Sequence, residues 1–80
     1  MPAIRFIRFY YNGSPNIIGC KGDETMKIIC KRFCYKMGIE FDKYSFKYDD
    51  SDVNLEIPFN DSPKAGNKNS DIMNIYVNKK

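Results

Sequence analysis

Apolar and polar side chains alternate with a period of two from Arg5 to Tyr11: Ile7, Phe9 and Tyr11 stand against Arg8 and Tyr10, which predicts a strand. Asn12-Gly13-Ser14-Pro15 follows, and Asn-Gly between alternating segments is a strong hairpin signal. Asn16 to Cys20 is the expected return strand, with Ile18 and Cys20 on one face. Lys21-Gly22-Asp23-Glu24 interrupts the alternation, and Thr25 offers a hydroxyl to the free N–H groups of a helix starting at Met26. Met26, Ile29, Cys30, Phe33 and Met37 then recur at steps of three and four, one apolar stripe. Lys27, Lys31, Arg32, Tyr35 and Lys36 fall on the other side, and Gly38 suits the left-handed residue that ends a helix.

Beyond the helix, Ile39 and Phe41 are expected to pack as the chain leaves it. Tyr44 to Tyr48 returns to a period of two, Asp49-Asp50-Ser51-Asp52 reads as a turn, and Val53 with Leu55 as a short return strand. Phe59 stands as an isolated anchor, Asp61 to Ser70 reads as a solvated loop, and Ile72 to Val77 as a last strand with Met73, Ile75 and Val77 inward. The order ββαββ, within one domain over residues 1–80, requires one amphipathic helix to cover one face of a mixed four- to five-stranded sheet. The helix supplies a crossover, so the last strand is expected beside the first and parallel to it. This is an α+β chain with the order of a β-grasp.

The spacing resembles that of a ubiquitin-like domain over nearly the whole chain. Cys20, Met26, Ile29, Phe33, Gly38 and Ile39 fall at the separations of that family's strand-2 end, helix core, helix-stopping Gly and following Ile, with Thr25 at its cap. Phe46-Lys47-Tyr48 is similar to its third strand, Phe59 to its buried Leu, and Met73 and Ile75 to the inward positions of its last strand. The resemblance implies a module that binds other proteins. Three departures qualify it. The chain ends at Asn78-Lys79-Lys80 without the Gly-Gly that conjugation or sulfur carriage requires, so a non-conjugating role is expected. Lys47 stands at the centre of the apolar patch that ubiquitin receptors use, and burying an unpaired ammonium there costs several kcal/mol. The segment from Asp61 to Ser70 is longer than its counterpart.

Composition narrows the chemistry. The 80 residues are 42% hydrophobic and 15% aromatic, a folding composition, yet contain no His, which removes the usual general base and the commonest metal ligand. A hydrolase or zinc enzyme is not expected, and no cofactor is implied. A net charge of +3 without long like-charge runs does not argue for nucleic acid. No apolar run approaches the ~20 residues of a membrane helix, and Met1 to Tyr11 lacks a signal peptide's unbroken apolar core, so no membrane insertion is expected. The odd set Cys20, Cys30 and Cys34 points to reduced thiols and an intracellular, cytoplasmic location.

Strand alternation assigns Phe6, Arg8, Tyr10, Ile17, Lys47, Asn74 and Tyr76 to the sheet face turned away from the helix. Aromatic side chains around an Arg are the types that anchor protein interfaces, so this face is the expected partner site, with Lys47 selecting acidic partners. Cys30 and Cys34 read as core or boundary thiols, since a metal site would need further ligands. Lys27, Lys31, Arg32 and Lys36 read as a solvated helix face, with an acidic protein partner as the exception. Tyr48-Asp49-Asp50-Ser51-Asp52 is similar to the acidic motif of the Phox-and-Bem-type charge-pairing domain, though without its Gly. Asn12-Gly13-Ser14 fits a glycosylation sequon but reads as the hairpin turn. The alternatives to a binding module are a small structural subunit of a larger assembly and the Phox-and-Bem-type pairing domain.

Overall fold

The computed structural model describes residues 4–62 and 72–80. Strand β1 (Ile4–Tyr11) turns at Asn12-Gly13, both with positive φ, into β2 (Ser14–Lys21). Helix α1 (Met26–Met37) follows, then β3 (Tyr44–Tyr48), β4 (Ser51–Asp52) and β5 (Ile72–Lys79), with 3-10 turns at Phe41–Lys43 and Phe59–Asp61. The sheet order is β2-β1-β5-β3-β4. β1 and β5 are parallel, with Arg8 opposite Asn74 and Tyr10 opposite Tyr76, and the other pairs are antiparallel. The expected β-grasp arrangement of an α+β chain is present, with the last strand beside the first.

α1 forms where its stripe predicts. Thr25 Oγ1 accepts from the Ile28 N–H at 3.4 Å. At the far end Gly38 has φ 73°, its N–H donates to the Tyr35 carbonyl, and the Ile39 N–H donates to the Cys34 carbonyl, the paired bonds of a Schellman ending. The stripe buries Met26, Ile29, Cys30, Phe33 and Cys34 against Ile7 and Phe9 of β1, Ile18 and Cys20 of β2, Phe46 of β3, and Met73, Ile75 and Val77 of β5. Phe59 closes the core from its own short turn. Ile39 and Phe41 pack at the rim as expected, whereas Cys34, expected beside the stripe, is fully inside.

One expected element is displaced. Asp49 and Asp50 adopt φ of 53° and 65° and close the β3–β4 turn in two residues, so Ser51 and Asp52 form the return strand. Val53 keeps one sheet bond, its N–H donating to the Phe46 carbonyl at 3.0 Å, and the chain then leaves the sheet. The Leu55 and Ile57 carbonyls accept the Lys27 and Met26 N–H groups at 3.0 and 2.9 Å, satisfying donors at the start of α1 that have no partner inside the helix. The apolar alternation of Val53 and Leu55 therefore serves the helix entrance and the core rim, not a strand. β2 and β5 run further than expected, and of the loop assigned to Asp61 to Ser70 all but Asp61 and Ser62 lies outside the described residues.

Candidate binding face

The register brings all seven residues assigned to the outer sheet face onto that face. Ile17 lies opposite Arg8, Arg8 opposite Asn74, Tyr10 opposite Tyr76, and Tyr76 opposite Lys47. Phe6, Ile17 and Tyr76 are each about half exposed, and Arg8, Tyr10, Lys47 and Asn74 are half-buried by their neighbours. Two further residues, unassigned in the sequence, share this face. Ile4, two residues before Phe6, is more than half exposed, and Ile72, opposite Phe6, is half-buried. Extending the period by one step along β1 finds Ile4, and the alternation of the last strand already sets Ile72 with Asn74 and Tyr76. Gly19, opposite Phe6, leaves the Ile4 and Phe6 side chains room to lean over β2, where a Cβ would sit 3.7 Å from each.

The face is thus graded. One end is aliphatic and aromatic, with Ile4, Phe6 and Ile72, and Ile17 borders it level with Arg8. In the middle Arg8 Nη1 reaches Asn74 Oδ1 at a long 3.4 Å, a neutral partner that leaves its charge uncompensated. Beyond it the Tyr10 and Tyr76 rings stack with centroids 4.9 Å apart. Lys47 makes a 2.9 Å ion pair with Asp52, its neighbour across the β3–β4 pair. An acid already attends Lys47, so Arg8 is the better cation for a partner's carboxylate. The acidic segment is correspondingly divided: Asp49 and Asp50 make the turn and Asp52 faces Lys47.

The three thiols are free and buried in the core. Burial, with Cys34 beside it, pushes the Cys30 thiol up to about 12, and burial also raises Cys20 and Cys34. A neutral buried thiol is a poor nucleophile. Modification of the native chain by a disulfide reagent at pH 8 is expected to run at least about tenfold slower than in urea, read from the released chromophore. Equal rates would place the thiols outside the core. Among the described residues no group of three His, Cys, Asp or Glu side chains is placed to hold a metal ion, and no helix is long and apolar enough to cross a membrane.

No protein-family model and no curated protein matches the chain in sequence. Solved structures match its fold. A Caldiarchaeum subterraneum ubiquitin is similar with TM-score 0.77 at 12% identity, over 98% of this chain and 95% of that one. An Arabidopsis thaliana protein determined from evolutionary couplings and sparse NMR data is similar with TM-score 0.75 at 10% identity, over 96% of this chain and 87% of that one. A structure of ATBAG1 in complex with HSP70 is similar with TM-score 0.74 at 13% identity, over 94% of this chain but 40% of that one. The chain has the ubiquitin-like β-grasp fold.

Proposed function

We propose that the chain is a non-catalytic ubiquitin-like module for protein–protein interaction, and that its partner lies across the outer sheet face. The observation that carries this reading is the gathering of half-exposed Phe6, Ile17 and Tyr76 around Arg8 on a hydrogen-bonded sheet. Large apolar groups on a wet face, centred on an Arg without an acidic partner among the described residues, match the composition of interface cores. A complementary segment offers aliphatic groups to the Ile4–Phe6 end and to Ile17, and a carboxylate to Arg8 beside it. The sheet fixes the backbone beneath these side chains, so little ordering cost attends binding. The fold's occurrence in a chain that complexes HSP70 is in keeping with a partnering role. The lack of any His and the neutral buried thiols support a role without catalysis, and the free thiols an intracellular one.

The Arg8→Glu/Tyr76→Ala double variant tests the reading. Both positions are at least partly exposed, so the fold is expected to survive, as far-UV CD and the melting temperature will report. Quantitative pull-down from native lysate should then show at least about a tenfold loss of bound partners, the effect of removing central anchors. Partners retained in full by the folded variant would remove the site from the sheet face.

A further inference from the structure

The inward stripe of α1 leaves Lys27, Ile28, Lys31, Arg32, Tyr35 and Lys36 on the solvent side. Among these, Ile28 is 51% exposed and Tyr35 90% exposed. They are seven residues apart, two turns, and so share one crest of the helix with Lys31 between them and Lys27 and Lys36 on its shoulders. Among the described residues, neither Tyr35 nor Ile28 belongs to the core or to the side chains packed on its rim.

The charge on this crest is one-sided. The first turn of α1 carries no acid, so Lys27 opposes the positive end of the helix dipole. Lys27 and Lys31 repel each other at i, i+4, as do Arg32 and Lys36. Arg32 is withdrawn by Glu24 and the Gly19 carbonyl. Lys31 leans over the Phe41 ring, its Nζ 5.5 Å from the centroid, a contact that brings no acid to it. Among the described residues Lys27, Lys31 and Lys36 enter no ion pair. Three lysines therefore flank two exposed apolar side chains, and none of the three is held in an ion pair among the described residues.

We propose that this crest is a second docking surface, which takes an acidic polypeptide segment carrying an aliphatic or aromatic anchor between Ile28 and Tyr35. Charge complementarity selects the acid, and the two apolar side chains select the anchor. A bilayer is the poorer occupant: the apolar face of α1 is buried on the sheet, and two side chains are a small area to insert. A single aromatic ring likewise offers no stacking platform for successive bases. This surface is independent of the sheet-face reading. The two lie on opposite sides of the two-layer fold, so one chain can hold two partners at once.

The test is a selection of random peptides displayed on phage against the folded chain, re-tested on the variants Tyr35→Ala/Lys31→Glu and Arg8→Glu/Tyr76→Ala. Ala and Glu are good helix formers and both helix positions are exposed, so the first variant is expected to fold, as CD will verify. The expected result is a class of Asp/Glu-rich peptides with one Leu, Ile, Phe or Trp. Their affinity should fall at least tenfold on the helix variant, stay unchanged on the sheet variant, and weaken by roughly tenfold between low and about 0.5 M salt. Selection of no acidic class, peptides sensitive only to the sheet variant, or binding of phosphatidylserine vesicles without any acidic peptide would each overturn the proposal. The sheet variant reads the other face separately, so one reading can fail without the other.

Discussion

Replacing Phe33 by alanine is expected to remove about 3–5 kcal/mol of stability, the usual range for a buried aromatic truncated to a methyl group. An 80-residue chain holds only about 4–12 kcal/mol in all, so the loss takes a large share of it. Phe33 is fully buried, and its ring stacks on Phe9 with centroids 4.5 Å apart and planes 11° from parallel. Tyr11 meets it edge-on at 6.0 Å. Phe9 in turn meets Phe46 edge-on at 6.3 Å, and Phe46 stacks with Phe41 at 5.6 Å. The helix is thus joined to β1, β3 and the 3-10 turn at Phe41–Lys43 through one run of rings, and Phe33 is its only member on α1. Thermal unfolding should show a midpoint at least about 12 °C lower than the parent chain. Phe33→Leu, which keeps most of the volume, should cost far less. Similar midpoints for the alanine variant and the parent would mean that the helix docks through other contacts.

That run of rings was readable in part. Phe9 and Phe33 stand at core positions of a two-residue and a 3.6-residue period, and local signals at Thr25 and Gly38 bound the helix between them. The outer sheet face was legible for the same reason, since alternation assigns a side to each residue without knowledge of the partner strand. Legibility ended where a pattern has two uses. Val53 and Leu55 alternate like a strand, but their segment supplies carbonyls to the start of α1, a demand arising from a helix that begins 27 residues before Val53. Asp49 and Asp50 are ambiguous in a different way: a run of acids gives no sign of which two take the left-handed conformation, and that choice sets where β4 begins. On α1, the basic residues were visible but their inequality was not. Arg32 is engaged by Glu24 across the Lys21–Glu24 connection while its lysine neighbours enter no ion pair among the described residues, a distinction that depends on where β2 ends.

That engagement leads to the second large effect: Glu24→Ala should cost about 2 kcal/mol at neutral pH and expose an edge of the sheet. β2 is an outer strand, and its outward backbone groups are open to pairing with another chain. The Glu24 carboxylate accepts the Lys21 N–H at 2.8 Å and grips the Arg32 guanidinium with both oxygens. Arg32 Nη1 also donates to the Gly19 carbonyl at 3.0 Å. One ion pair therefore occupies two backbone groups of the edge, and Pro15 has no N–H to offer a third. The side chains are 41% and 20% exposed for Arg32 and Glu24, so solvent screening keeps the loss well below that of a buried pair. The Arg32 hydrogen bond holds the Glu24 carboxyl below the usual carboxylate range. A depressed folded pKa stabilises above the unfolded value, about 4.3, and that stabilisation disappears as pH falls through the folded value. Urea unfolding should therefore separate parent from variant at pH 7 and bring them together near pH 2–3. Sedimentation at neutral pH should show concentration-dependent association of the variant alone. A stability gap that persists unchanged in acid would assign the loss to packing, and a monomeric variant would show that the edge is closed by something other than this pair.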